Sequence, residues 1–452
     1  LAKACGIEFV YSVGSSPPLF HSPVDPGWGV FHRIFVEAAI VIVESRLLDR
    51  FLRYVRIGTA ADPTSTAYPS SSGQWELGRL LAQELAEYGA EEVHQDNHGL
   101  VWATLPSTAG PDLPTVALIA HLDTSAEAPG SHVNPGVVEA YDGGKIALEN
   151  GMVIDPADSL TLAGLVGKTL ITTDGTTLLG GDDKAGVAII MELAQHLIER
   201  PHLPHGPVKI LFTCDEEIGR GTDKIDLNKL GATAAYTLDG GGAGMIDVET
   251  FSADAMRVRF IGHNIHPAIA KGRMVNSLRG AAAFVEALPK RDTTPETTSD
   301  RLGFIHVHDI HGGVGQCDID LILRSFEAAE LDTFAELITA TAKQVVAESP
   351  GLRVEFQRRR QYRNLAEGLR KLPAVVDLAK LAFERLERPY QTAIVRGGTD
   401  GSQLTEKGLP TPNLSSGQHN IHSVQEFACL EEMVAAAEHM IELLGLWSDQ
   451  RS

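Results

Sequence analysis

Thr115-Val116-Ala117-Leu118-Ile119-Ala120, followed directly by His121-Leu122-Asp123, is the stretch on which the reading of the fold turns. A short continuous apolar run suits a strand buried on both faces of a sheet, and sheets covered on both faces are built from strands alternating with helices. Working outward, residues 184–200 read as a helix, 208–213 as another buried strand and 234–238 as a third. Upstream, residues 45–56 put Leu47, Leu48, Phe51, Leu52 and Val55 on one helical face, and residues 75–88 read as a helix stopped by Gly89. The alternation predicts an α/β fold with a mostly parallel central sheet.

The pattern changes after about residue 250. Residues 255–261 alternate like a half-exposed strand, 275–288 read as a helix, 303–310 and 316–324 as strands, 331–348 as a helix and 353–361 as a last strand. This β-α-β-β-α-β order is the split ferredoxin-like motif and predicts a smaller inserted α+β domain. The α/β pattern resumes with helices at 374–386 and 430–444. The expected organisation is an extension over 1–43, a main domain in two parts over 44–252 and 362–452, and an insert of the lid or dimerisation kind over 253–361. The extension, with Ser15-Ser16-Pro17-Pro18, reads as poorly ordered or as translated sequence upstream of the true start.

Composition narrows the function. The chain has 452 residues, 43% hydrophobic and 21% charged, which suits a globular protein of two domains. A net charge of −21 argues against nucleic acid or an anionic membrane as partner, and it fits a carboxylate-rich site that binds cations. No apolar stretch reaches the roughly 18 residues of a membrane span. The run Ala38–Val43 is short and lacks a charged lead-in or cleavage site, so no signal peptide is read. Cys5, Cys214, Cys317 and Cys429 are scattered without a CxxC pair, which predicts free thiols in a reducing, cytoplasmic setting.

Five clusters share one placement, just past the C-terminal end of a predicted strand, where open α/β sheets bind ligands. They are His121-Leu122-Asp123, Leu179-Gly180-Gly181-Asp182-Asp183-Lys184-Ala185-Gly186, Cys214-Asp215-Glu216-Glu217, Asp239-Gly240-Gly241-Gly242 and His419-Asn420-Ile421-His422. Taken singly, each has an ordinary structural explanation: an incidental pair, a helix N-cap, an acidic turn, a glycine turn and a loop histidine. Taken together, Asp123, Asp182, Glu216, Glu217 and Asp239 cannot share a pocket as bare anions. Two divalent cations remove the conflict, and His121, Asp182, Glu217, Asp239 and His422 offer nitrogen and oxygen ligands suited to zinc. One aspartate bridging two metals about 3.5–4 Å apart is the usual two-metal arrangement.

The same motifs, in the order HxD, GGDDKAG, DEE, LDGGG and a late histidine, resemble those of the two-zinc exopeptidases, in particular their tripeptide-cleaving aminopeptidases. The resemblance runs from about residue 45 to about 447 and includes Gly73-Gln74-Trp75, Leu170-Ile171-Thr172-Thr173-Asp174-Gly175, Pro204-His205-Gly206 and Arg396-Gly397-Gly398-Thr399-Asp400-Gly401. It implies that the main domain is a zinc-exopeptidase catalytic domain, and that the substrates are short peptides. One zinc would be held by His121, Asp182 and Asp239, the other by Asp182, Glu217 and His422, with Asp182 bridging and Asp183 a non-ligand neighbour. Asp123 would orient His121, and Glu216 would be the general base. His266, in Asn264-Ile265-His266-Pro267-Ala268, would be the oxyanion donor from the smaller domain; its alternative is a histidine in a plain turn. Arg324 and Arg396 would face the site, one or both holding the substrate's C-terminal carboxylate, or else form a domain-closing bridge, with Asp400 as a partner for Arg396. A homodimer through the smaller domain is also implied.

Two positions depart from the family pattern: Ala268-Ile269 replaces Gly-Thr beside the oxyanion donor, and Cys214 replaces a proline before the acidic pair. Dipeptidases, carboxypeptidases and N-acyl amino acid amidohydrolases share such a metal site and stand as rival readings. A non-enzymatic peptide-binding protein would be expected to have lost the base or a ligand, and here Glu216 and all five ligands are present. The remaining histidines, His263, His306, His308 and His311, crowd the smaller domain; His306 and His308 share a strand face, which reads as a polar sheet face rather than a secondary metal site.

Overall fold

In the computed structural model residues 41–450 are described, residue 160 excepted. The extension expected over 1–43 lies almost wholly outside the described residues.

Before residue 252 the strands are β1 (Glu91–Gln95), β2 (Val101–Leu105), β3 (Val116–His121), β4 (Gly136–Val138), β5 (Ile146–Ala147), β6 (Val153–Ile154), β7 (Leu170–Thr172), β8 (Val208–Thr213), β9 (Ala234–Gly241) and β10 (Met245–Thr250). Then come β11 (Ser252–Ile261), β12 (Phe304–Gly312), β13 (Gln316–Ser325) and β14 (Arg353–Tyr362), and last β15 (Gln391–Val395), β16 (Asn413–His419) and β17 (Phe427–Cys429). The helices longer than two turns are α1 (Glu44–Val55), α2 (Ser72–Tyr88), α3 (Gly181–Glu199), α4 (Ser277–Ala287), α5 (Ala328–Glu348), α6 (Ala374–Arg385) and α7 (Leu430–Ser448).

The large sheet has the order β1-β2-β8-β3-β9-β16-β17-β7-β4, with β10 and β15 joined beside β16. Its centre, β8-β3-β9-β16, is parallel, and its flanks are antiparallel. Every residue of β3 is buried, as its unbroken apolar run requires. Helix α3 covers this centre and is itself covered by α1, α2 and α7, so it is buried on nearly every side and its middle, Ala185–Met191, is apolar. Its approach to β9 is close: a Cβ at Gly186 would sit 2.1 Å from the Leu238 carbonyl oxygen. Arg46 on α1 forks the fully buried Glu192 of α3 through Nη2–Oε1 (2.6 Å) and Nε–Oε2 (2.8 Å).

The second sheet, β12-β13-β11-β14, is wholly antiparallel, and its elements run in the expected β-α-β-β-α-β order. Val258, Phe260, Ile319, Leu321 and Leu323 face α4 and α5 and form a separate apolar core with Phe284, Leu331 and Ile338. The other face carries Arg257–Asp320 and Arg259–Asp318 fork pairs. Asp309 and His311 lie exposed beside Asp320, so the histidine-rich stretch of β12 belongs to this polar face.

Among the described residues Cys214, Cys317 and Cys429 are buried free thiols, and no helix is long and apolar enough to cross a membrane.

Candidate metal centre

The parallel strands deliver their C-terminal ends to one edge of the large sheet. His121 closes β3, Glu216 and Glu217 follow β8, Asp239 lies near the end of β9, and His422 follows β16. Helix α3 starts at the same edge and brings Asp182 with it; Gly180, with φ 82°, occupies its left-handed N-cap. The Asp182–Asp183 peptide is cis.

These side chains converge. His121 Nε2 lies 2.9 Å from Asp182 Oδ1 and 3.7 Å from Asp239 Oδ1. His422 Nε2 lies 3.3 Å from Asp182 Oδ2 and 3.0 Å from Glu217 Oε2. The result is two sets of three ligand atoms, His121-Asp182-Asp239 and Asp182-Glu217-His422, that share Asp182 and could each hold a metal ion. Asp123 has two tasks. Its backbone carbonyl and carboxylate lie 3.0 and 3.5 Å from His121 Nδ1, and its carboxylate accepts the Glu216 and Glu217 amides at 3.0 and 3.1 Å. It is thus placed to orient the imidazole, and its carboxylate ties down the turn that carries both glutamates. Asp183 stands behind, accepting the His121 and Gly186 amides at 3.1 and 3.2 Å.

The charges are unbalanced. Burial, reinforced by Asp182, pushes Asp239 up to about 7. Burial and then Asp400 raise Glu216 well above the ordinary carboxylate range, and burial raises Glu217. Asp182 is the exception: its burial is outweighed by His121 and His422, which hold its carboxyl low. Hydrogen bonds to Asp182 and Glu217 lift His422 to about 11. One oxygen of Glu217 is buried without a partner among the described residues. Buried anions at this density call for added positive charge.

The cleft beside these groups has a volume of about 430 Å³. Asp182, Glu216, Glu217, Asp239 and His422 line it on one side, and Met245, Asp247, Val395, Gly398 and Asn413 extend it. The other expected site residues stand apart from this lining. His266 is exposed on the turn Pro267–Ile269, where its Nδ1 accepts the Ala268 amide at 3.2 Å. Arg324 donates to Gln361 Oε1 (2.8 Å) and lies over Tyr362, 5.4 Å from the ring centre. Arg396 donates to the carbonyls of Asp300 (2.9 Å) and Leu302 (2.8 Å) and to Thr298 Oγ1 (2.9 Å), and lies 5.1 and 5.6 Å from the ring centres of the edge-packed pair Phe251 and Phe304. Asp400 is not its partner: it accepts from Thr213 Oγ1 at 2.9 Å and stays buried, with burial pushing it up to about 6.

Sequence reading missed Glu426. Its buried carboxylate accepts the amides of Leu179 (2.8 Å), Gly180 (2.9 Å) and Asp182 (3.1 Å), and so holds the loop that carries the shared aspartate. Nothing in Ser423-Val424-Gln425-Glu426 marks it, because its partners lie more than two hundred residues away.

Comparison with known proteins agrees with this architecture. The profile of peptidase family M20/M25/M40 matches residues 178–445. Peptidase T of Geobacillus kaustophilus is 41% identical over 412 residues, covering 91% of this chain and 100% of that protein. Among solved structures, aminopeptidase PepT from Bacillus cereus superposes with a TM-score of 0.69 at 23% identity, covering 90% of this chain and 100% of its own. A tripeptidase from Staphylococcus aureus gives a TM-score of 0.71 at 23% identity, with 91% and 100% covered. The chain belongs to peptidase family M20/M25/M40, among the peptidase T proteins.

Proposed function

We propose that the protein is a metallo-aminopeptidase that releases the N-terminal residue of tripeptides with the help of two zinc ions. The observation that carries this reading is the pair of ligand sets joined through Asp182. The residues fit such ions chemically: oxygen and nitrogen donors, a buried Glu217 oxygen without a partner among the described residues, and a surplus of carboxylates around His121 and His422. His121, Asp182 and Asp239 would hold one ion, and Asp182, Glu217 and His422 the other. When bound, the ions would lower the pKa of water and supply positive charge for a developing oxyanion.

The chain's own groups do the rest. Glu216 lines the cleft with a raised pKa, which suits a carboxylate that takes a proton from water and returns it to the leaving amine. Asp123 keeps His121 oriented. His266, whose Nδ1 accepts the Ala268 amide, keeps Nε2 for donation; because it stands apart from the cleft, it would serve as oxyanion donor only on approach of the smaller sheet to the ligand sets. Ala268 in place of glycine does not remove that bond. We read residues 253–361 as an inserted domain carrying this donor. Arg324 is the better placed of the two arginines to receive a substrate carboxylate, since Arg396 is committed to backbone carbonyls. Relatives named peptidase T, aminopeptidase PepT and tripeptidase support the substrate class. A cytoplasmic location, a homodimer, and the absence of nucleic-acid or membrane partners complete the proposal; the free thiols support the first and the acidic charge the last.

The test is hydrolysis of a free tripeptide, its N-acetylated form and a dipeptide, before and after chelation, with zinc content measured per chain. The expected result is cleavage of the free tripeptide alone, lost on chelation and restored by zinc. Cleavage of the acetylated peptide but not the free one would overturn the reading. Glu216→Gln should keep its zinc and lose turnover by about 10²–10⁴-fold.

A further inference from the structure

Asp247, on β10, lies in the wall of the same cleft as Glu216 and Asp239, and only 8% of it is exposed. Its Oδ2 accepts from Asn413 Nδ2 at 2.8 Å. Asn413 cannot turn its amide round, because its Oδ1 already accepts the Asp239 amide (3.0 Å) and Thr237 Oγ1 (2.9 Å). One asparagine thus ties Asp247 to the strand end that carries Asp239, and fixes the aspartate as an acceptor. The other carboxylate oxygen has no hydrogen-bond or ion-pair partner among the described residues, and the cleft lining contains no lysine or arginine. The free oxygen of Asp247 opens on the cleft, and once a bound substrate excludes water from it the carboxylate costs free energy unless a cation meets it. A further metal is a poor candidate, since one carboxylate and one amide nitrogen fall short of a ligand set. A cation that donates hydrogen bonds suits the site better.

We propose that Asp247 receives the protonated α-amine of the peptide substrate and so restricts the enzyme to free N-termini. This rests on the aminopeptidase reading and deepens it. The scissile carbonyl would lie toward the two ligand sets joined by Asp182, and Asp247, held by Asn413 to the strand end that carries Asp239, grips the group that distinguishes the first residue of a peptide from all later ones. N-acylated peptides and internal bonds lack that cation and would leave the carboxylate buried and unpaired.

The experiment compares zinc-loaded wild-type and Asp247→Asn enzymes on one tripeptide and on its desamino analogue, in which hydrogen replaces the α-ammonium. The ratio of kcat/KM, tripeptide over analogue, should fall about 10- to 100-fold in Asp247→Asn, and Asp247→Glu should recover part of it. With wild type, kcat/KM for the tripeptide should fall as pH rises through the α-amine pKa of about 8. The analogue should lack that fall, and Asp247→Asn should blunt it. An equal loss on both substrates, or an unchanged ratio at full zinc content, overturns the proposal. Should Asp247→Asn fail to fold, wild type still decides: a preference for the tripeptide over its analogue below about threefold also overturns it. A wild type inactive on every free tripeptide refutes the aminopeptidase reading itself, a different result from any of these.

Discussion

At the residue scale, the groups that would bind metal were legible and the groups that hold them were not. His121, Asp182, Glu217, Asp239 and His422 could be picked out because each ends a strand or opens a helix within a short polar signature. Glu426 has no such signature, yet three backbone amides converge on its carboxylate. Burial pushes it up to about 7, against the pull of those amides. Its role is to fix where Asp182 stands. In Glu426→Gln the amide would offer one acceptor oxygen where the carboxylate offers two, leaving at least one loop amide without a partner. Metal affinity should then fall about 10- to 100-fold, as for other groups that orient ligands. Competition with a chromogenic chelator measures this, with the circular dichroism melt as a check on folding. Unchanged affinity at an unchanged melt would show that the loop holds itself.

At the element scale, the strands and helices that sequence reading found are those whose burial follows their composition. β3, β8 and the helix α3 are apolar because they are enclosed. β16 was missed for the opposite reason: Asn413-Leu414-Ser415-Ser416-Gly417-Gln418-His419 is buried throughout but polar, since its side chains bond Asp239, Asp247, Gly240 and Glu432. β1 and β15 escaped because edge strands expose most of their residues and lose the apolar signal. A buried polar group inside an otherwise apolar contact gives a prediction here. His439 of α7 donates Nε2–H to the Ala379 carbonyl of α6 at 2.8 Å and stacks on Phe383. Burial lowers its pKa to about 4. A histidine depressed in the folded state stabilises fully above its unfolded pKa of about 6.5, and this contribution is lost as pH falls through 4. The full effect is about 3 kcal/mol. His439→Gln keeps a donor for Ala379 and does not titrate. Denaturant unfolding at pH 7 and pH 4.5 should show a smaller difference for the variant than for wild type, by about 2–3 kcal/mol. Equal differences would mean that the imidazole charges elsewhere than in this contact.

At the scale of the whole molecule, the question is what joins the small sheet to the large one. Sequence reading left Arg396 with two roles, a clamp on the substrate or a bridge, because a lone arginine in a glycine-rich stretch announces only a fork of donors. The structure occupies that fork. Three backbone carbonyls and one hydroxyl of residues 298–302, ahead of β12, receive it, and the guanidinium rests against the Phe251–Phe304 ring pair. Arg301 in the same segment forks Glu249 of β10 at 2.6 and 2.7 Å, a second tie between the two sheets. If Arg396 instead clamped substrate, removing it would weaken binding of a tripeptide and spare the corresponding tripeptide amide, which has no carboxylate to hold. A bridge predicts otherwise. Arg396→Gln should change kcat/KM by the same factor for the tripeptide and its amide. It should also lose roughly 1–3 kcal/mol of stability, the range for hydrogen bonds from a charged donor, and so lower the melting temperature by about 1–4 °C. Arg324→Gln serves as the contrast. Its guanidinium keeps fewer partners, Gln361 Oε1 and the Leu323 carbonyl, and should discriminate between the two substrates. Selective loss on the carboxylate-bearing peptide in Arg396→Gln, with an unshifted melt, would reverse the assignment of the two arginines.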